Sequence, residues 1–392
     1  MKSLKFDPRS PTFQANPYPF YDILRQEAPI FYSPEWNQWF LTRYEDCERL
    51  QRDNRLGHGT YQQALESSPL WQMLRHWFLL KNPPDHTRLR SLVHKTFTPH
   101  RVAKMRETVQ AVADRLLDQV QPTGKMDLIA DFAKPLPVIV IAEMLGLPTE
   151  DHKLFHQWSN DLARSLDLTD DVEVYIQASK TTVRLTRYLK KMADQRRANP
   201  QNDLLSALVA VEEAGEQLSE DELYATCALL LVAGYENTTN FIGNGTLALL
   251  QHPAELERLK QNPQLMPSAL EELLRYDSAA QMTVRIALEE IKYKGYTFHA
   301  GQEVNFVIAA ANRDPERFDK PNTLDLTRSH NRHLSFGHGI HYCLGAPLAR
   351  LEGEIAFATL LRRMPNLSLA TDKLTYLDNY LLRGLATLPV TF

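Results

Sequence analysis

Phe336-Gly337-His338-Gly339-Ile340-His341-Tyr342-Cys343-Leu344-Gly345 sets one cysteine in a glycine-punctuated loop, directly ahead of a helical pattern that opens at Ala346 and Pro347 and runs through Leu348, Ala349, Arg350 and Leu351 to Leu361. Proline suits a first helical turn, where its missing N–H costs nothing. A thiol at a helix N-terminus meets unpaired N–H groups and the positive end of the dipole, which favour thiolate over thiol. Cys343 is therefore expected to be an anion. Gly337 and Gly339 open backbone conformations closed to other residues, so the loop can wrap beneath a bulky planar group, and Gly345 lets that group lie almost on the backbone. A lone cysteine is more often a small buried hydrophobe, so the reading rests on all ten positions together.

Composition narrows what such a loop can serve. The 392 residues carry 44 Lys+Arg against 48 Asp+Glu, a formal charge of −4, and 43% are hydrophobic. That supplies a sizeable core and gives no footprint for nucleic acid. Cys47, Cys227 and Cys343 form an odd, widely spaced set without a C-x-x-C pair, which argues against a disulfide framework or structural zinc and for a reducing compartment. Residues 1–13 lack an apolar signal core, and no apolar run approaches the ~20 residues that span a bilayer. The chain is expected to be cytoplasmic, without a membrane anchor. No repeat or low-complexity linker interrupts it, so residues 1–392 read as one domain.

Working outward, the longest helical pattern begins with a capping box, Ser219 with Glu222, and continues to Leu250, stopping before Pro253. At ~1.5 Å per residue it would cross most of a domain. Within it lies Ala233-Gly234-Tyr235-Glu236-Asn237-Thr238-Thr239, and burying such an acid and amide costs several kcal/mol unless each is paired. His86 and Arg90, four apart in a helix that starts after Pro83-Pro84, share a face and could hold a pair of carboxylates. A second capping box, Ser268 with Glu271, is expected to open the helix bearing Glu272 and Arg275, which also share a face. Leu136 to Leu147 is apolar on nearly every side, as a buried helix would be. Residues 30–41 suggest a hairpin, and Val304, Phe306, Val307 and Ile308 a buried strand.

The decamer resembles the haem-ligand loop of the cytochrome P-450 family, and the resemblance continues in order along the whole chain. It implies a mainly α fold with a small β region and a long central helix over haem b. Cys343 would be the axial thiolate ligand of the haem iron. His86, Arg90, Arg285 and His341 match the family's propionate contacts, and Ala233 and Gly345 its haem-facing positions. Glu272 and Arg275, with Arg317 as distant partner, match its buried structural network. Gly57 to Phe78, with Tyr61, would roof the pocket. Trp71, Phe78, Leu229, Met282, Val284 and Leu381 would line it and suggest an apolar substrate, lipid-like, terpenoid or polyketide-like.

The implied activity is monooxygenation, with electrons from NAD(P)H through a ferredoxin reductase and a ferredoxin docking near Arg328, His330, Arg332 and His333. Glu236 falls on the family's usual catalytic acid, but Asn237 replaces its usual threonine. An amide has no transferable hydroxyl proton, and Thr238 is turned away by about 100°. Three readings follow: Asn237 anchors a relaying water, the substrate supplies a hydroxyl, or activation has shifted towards peroxide. The rival functions are a peroxide-driven peroxygenase and a haem-binding recruitment module without turnover.

Overall fold

Between Glu222 and Leu249 the helix Glu220–Gln251 is buried on almost every side, so the rest of the chain is arranged around it. We describe the protein from a computed structural model, in which residues 10–59, 67–167, 171–213 and 218–392 are described; Tyr61 lies outside them. The expected capping box starts this central helix: Ser219 Oγ accepts from the Glu222 N–H at 3.2 Å, and Glu222 Oε2 accepts from the Ser219 N–H at 2.9 Å. Glu222 also pairs with Arg88 at 2.6 Å, which ties the helix start to the helix carrying His86. Pro253 follows the end of the central helix and opens the next one, as a residue without an N–H must.

Two helices fix the middle of this strut. Pro135–Leu145, apolar around its circumference, packs on it where Gly234 meets Ile141, with a glycine Cβ position only 3.4 Å from that side chain. Ala346–Arg363, which follows the Cys343 loop, crosses it through Gly353, where a Cβ would fall 2.4 Å from the Phe241 ring. Any larger residue at 353 would push the two helices apart, so this glycine sets the depth at which the cysteine loop approaches the central helix.

The largest sheet has five strands, in the order Ile30–Ser33, Gln38–Leu41, Glu303–Phe306, Thr283–Ala287, Leu56–Gly57. The first pair is the expected hairpin, with Ile30 opposite Leu41. The expected strand at 304–308 ends at Phe306, because Ile308–Ala311 turns into a short helix. The last pairing places Leu56 opposite Ala287 and Gly57 opposite Ile286. By that antiparallel register the chain leaving the sheet at His58 runs alongside Arg285.

The second expected capping box does not form. The helix starts at Met266, three residues before a Ser268 cap would start it, with Pro267 in its first turn. Ser268 lies inside the helix and donates to the Leu265 and Leu326 carbonyls, which frees Glu271 for other partners. Helices His152–Arg164 and Val172–Ala198 pack together and on the central helix.

Candidate active site

The cysteine loop is held by its own backbone. The Cys343 N–H donates to the Phe336 carbonyl at 2.8 Å and Tyr342 N–H to Gly339 at 3.1 Å. Gly339 has φ +71°, and a Cβ there would lie 2.6 Å from the Gln51 carbonyl oxygen, so both conformation and space require glycine. Cys343 is exposed, whereas Cys47 and Cys227 are buried thiols pushed up in pKa by burial, Cys227 to about 12. Desolvation by the surrounding protein pushes the Cys343 thiol up too. The Gly345 and Ala346 N–H groups and the charges of Arg90 and Arg350 oppose that shift without reversing it, so the helix start acts in the expected direction but the protein's own groups do not favour the expected thiolate. At Gly345 φ is an ordinary −80°, and a Cβ would touch only Cys343 Sγ at 3.9 Å. No protein neighbour demands glycine there.

Next to the loop is a cationic corner. His86 and His341 have ring centroids 4.3 Å apart, and His58 stands 5.0 Å from His341 on its other side. His86 Nδ1 and Nε2, His341 Nδ1 and His58 Nε2 are buried without a hydrogen-bond partner among the described residues. Burial, with the nearby Arg285 and Arg90 charges, pulls the three imidazoles down, to about 3 at His58, about 4 at His86 and about 2 at His341. Arg90 spends one N–H on the Tyr342 carbonyl, and Arg285 Nη1 donates to the Val284 carbonyl at 2.7 Å. Orphaned buried donors are rare unless a ligand satisfies them. Three neutral imidazoles with orphaned ring nitrogens, flanked by the charges of Arg90 and Arg285, call for an anionic group.

His58 was invisible to pattern reading because it is distant in sequence and lies in a loop. Its position comes from Asn82, whose Oδ1 accepts from the His58 N–H at 2.8 Å and whose Nδ2 donates to the His58 carbonyl at 2.7 Å. The only available signal was Asn82 itself, an amide just before the prolines that start the His86 helix.

The central helix opens for a single turn. From Glu222 to Leu249 every residue is buried except Ala233 and Asn237, which are exposed, and Gly234 and Glu236, which are half-buried. Ala233 and Asn237 are four apart and share a face. Thr238 and Thr239 are 5% and 2% exposed and point into the core, so neither hydroxyl can replace the missing one. Burial pushes the Glu236 carboxyl up to about 7, reinforced by the charge of Asp167 and opposed by Lys134.

Behind the loop, Glu272 and Arg275 form a fully buried two-point pair, both contacts 2.8 Å. The third partner is Arg328, whose Nε lies 3.0 Å from Glu272 Oε2. Arg317, expected there, is exposed and lies over the Tyr44 ring at 4.8 Å, because its backbone follows the tight turn after Asp314. Glu271 takes Arg350 at 2.6 Å and His333 at 3.1 Å. Burial alone would raise Glu271, but these two partners hold it at about 2. Arg350 also covers the Phe336 ring at 4.5 Å, so this pair braces the first residue of the cysteine loop. With Arg328 and His333 engaged, only His330 and Arg332 of the expected docking cluster are exposed.

The pocket candidates fall in two groups. Phe78 and Leu229 are buried in the largest core cluster, with Trp71 packed against it, and Phe78 reaches towards His86 with ring centroids 6.4 Å apart. Met282 belongs to another cluster, with Leu381 packed against it, and the Met282 N–H meets the Leu381 carbonyl at 3.4 Å. Val284 adjoins Arg285 and is half-buried. Gln281, next to Met282, accepts from the Tyr21 hydroxyl at 3.1 Å.

An exposed cysteine, an open helix turn and orphaned imidazoles fit a flat, dianionic, sulfur-ligated group, and haem has that chemistry. The family model described as cytochrome P450 matches residues 39–375. "Polyketide biosynthesis cytochrome P450 PksS" of Bacillus subtilis (strain 168) is 42% identical over 407 residues, covering 100% of this chain and 99% of that protein. "Vitamin D(3) 25-hydroxylase" of Pseudonocardia autotrophica is 41% identical, covering 97% and 95%. The crystal structure of P450BioI in complex with hexadec-9Z-enoic acid ligated acyl carrier protein superposes with TM-score 0.93 at 40% identity, covering 98% of this chain and 100% of that one. Among the described residues no helix is long and apolar enough to cross a membrane. The chain belongs to the cytochrome P450 family and is a haem-thiolate monooxygenase acting on small molecules.

Proposed function

We propose that this monooxygenase works as a single domain in the cytoplasm, takes electrons from a ferredoxin and its reductase, and oxidises a long acyl or polyketide-like chain. The observation that carries the reading is the open turn of the central helix, where the polar side chains Glu236 and Asn237 interrupt a helix otherwise buried in the apolar core. Two relatives support the substrate class: PksS is named for polyketide biosynthesis, and P450BioI was crystallised with an acyl carrier protein.

Cys343 would hold the iron, and His86, Arg90, Arg285 and His341 the propionates. Haem, when bound, supplies the activation of dioxygen. The remaining work falls to side chains of this chain. Asn237 presents an amide donor and acceptor on the open face and orients a water. Glu236, held at about 7 by burial and Asp167, can give up and regain a proton at its carboxyl near neutral pH, the condition for efficient acid–base work. Phe78, Leu229, Met282 and Leu381, with Trp71 and Val284, exclude bulk water and bind the chain by apolar contact.

Titrating the ferric protein with free hexadec-9Z-enoic acid tests the substrate class, and a saturable low-spin to high-spin shift is expected. NAD(P)H with ferredoxin and reductase should then give product. Because Asn237 brings no hydroxyl to the open turn, hydrogen peroxide belongs in the same assay. Product from peroxide alone, with none from the reductase system, would replace the ferredoxin-driven reading by the peroxygenase one.

A further inference from the structure

The helix Val172–Ala198 starts five residues after Asp167, whose charge acts on Glu236. Its inner face is pinned: Ala178, Leu185 and Leu189 are buried, and it packs on Pro69–Leu74, His152–Arg164, Leu204–Glu213 and the central helix. Its outer face carries Lys180, Arg184, Arg187 and Lys191. Spacings of four, three and four put them in one stripe, about 16 Å long at ~1.5 Å per residue. All four are exposed, none forms an ion pair among the described residues, and no acidic residue lies between Val174 and Ala193. Ile176 and Val183, 38% and 43% exposed, lie along the same face. Elsewhere the surface is more economical: neighbouring Lys190 and Arg197 are paired with Glu220 and Asp194. Four unpaired cations in line repel one another and destabilise an isolated helix, so the stripe asks for an anionic partner.

We propose that this stripe docks an acidic carrier protein that presents the acyl substrate as a tethered thioester. The inference rests on the acyl-chain reading above and names the partner that delivers it. A row one side chain wide and about three helical turns long matches a single helix bearing carboxylates, and two aliphatic side chains give such a helix something to seat against. An anionic membrane fits less well: the exposed face has no tryptophan, phenylalanine or leucine to sink into the headgroup region, which interfacial helices use. The charges set encounter and orientation, and the tethered chain then enters beside the Asp167 segment, towards the open turn at Glu236.

The test uses the haem-loaded full chain, an acyl carrier protein bearing a hexadec-9Z-enoyl group, and the variant Lys180→Glu/Arg184→Glu/Arg187→Glu/Lys191→Glu. For wild type, the loaded carrier should give the high-spin shift with an affinity that falls steeply as salt rises. In the variant that affinity should drop by about tenfold or more, while the midpoint for the free acid moves less than about twofold. Should the fourfold reversal fail to fold, Arg184→Ala/Arg187→Ala should give the same pattern at smaller amplitude. Equal carrier affinity in wild type and variant overturns the proposal, as does a wild type that binds free acid but not the loaded carrier. Loss of binding to phosphatidylglycerol vesicles instead assigns the stripe to a membrane, and loss of ferredoxin-driven reduction assigns it to the electron carrier. A wild type that takes neither free acid nor loaded carrier sinks the acyl-chain reading, and the docking proposal with it.

Discussion

The polar groups behind the cysteine loop and those in front of it are handled in opposite ways. Behind it, Glu272 is saturated: Arg275 in two-point contact, Arg328, Asn331 Nδ2 at 3.0 Å and the Asp325 N–H at 2.9 Å. Arg275 in turn reaches the carbonyls of Asn312 and Pro321, both at 2.8 Å. In front, His58, His86 and His341 carry ring nitrogens with no partner among the described residues, and Asn237 stands exposed in the middle of a buried helix. A buried carboxylate with its positions filled, as at Glu272, specifies one arrangement, whereas a cluster left half-filled costs stability unless something else completes it. The rear therefore acts as scaffold, and the front is built for a guest.

The contrast is broken most severely by emptying the rear. Glu272→Ala leaves the Arg275 guanidinium buried without its counter-charge, which typically costs about 3–5 kcal/mol. Denaturant unfolding of the haem-loaded protein should show a loss of that order, and the carbon monoxide spectrum should move towards the form lacking thiolate ligation. Glu272→Ala combined with Arg275→Met should recover part of the loss, because no buried charge then stands alone. A Glu272→Ala protein of unchanged stability would mean the rear network is ornamental.

At the front, Glu236→Gln keeps shape and removes the titrating proton. Positioned acids and bases contribute typically 10²–10⁴-fold, so product formed per NAD(P)H should fall by about 10² or more while the substrate-induced spin shift persists. The sign of the pH effect follows from the raised carboxyl pKa. Below about 7 Glu236 carries its proton and can donate it; above, it cannot. Coupling should therefore decline as pH rises through about 7 in wild type, and this inflection should vanish in the variant. Folding should barely respond, which is the reverse of the result expected at Glu272.

How far these two regions could be read in the sequence differs for a physical reason. The front was written in local patterns: ten contiguous residues around Cys343, His86 and Arg90 four apart, Glu236 and Asn237 inside one helix. The central helix was legible for the same reason, through the Ser219 and Glu222 cap. The rear was legible only at Glu272 and Arg275, three apart. Its third partner comes from a distant loop, and spacing alone could not separate Arg317 from Arg328, eleven residues apart. Glu271 looked like half of a capping box because Ser268 precedes it by three. Tertiary partners, Arg350 and His333, claimed it instead. His58 was missed because an Asn82 clamp and strand register place it, and neither leaves a periodic trace.

A gentler disturbance is His58→Ala, which removes one of the three imidazoles facing the anionic side of the site. Neutral donors to a charged acceptor contribute about 1.5–3 kcal/mol, and outer contacts of this kind tune metal and cofactor affinity by about tenfold or more. Transfer of haem from the variant to apomyoglobin should accelerate by about tenfold, with the reduction potential shifted, since on the proposed reading this corner faces the propionates. Asn82→Ala should give the same direction at smaller size, since the ring remains but its backbone is no longer clamped. Unchanged haem transfer in both would remove His58 from the cationic corner.

The smallest effect sharpens the comparison at its least obvious point. Arg317 and Arg328 are both arginines near the cysteine loop, yet only Arg328 reaches the buried carboxylate, with its side chain 11% exposed. Arg328→Ala strips a charged donor from Glu272 and should lower stability by about 1.5–3 kcal/mol. Arg317 offers its guanidinium to the face of Tyr44 at the surface, where a cation–π contact contributes about 0.5–1 kcal/mol at most. Arg317→Ala should therefore shift the unfolding midpoint little and leave the thiolate spectrum alone. A large loss in Arg317→Ala with none in Arg328→Ala would exchange their roles, and would mean that Glu272 draws its third partner from the turn after Asp314 rather than from the chain leading into Phe336.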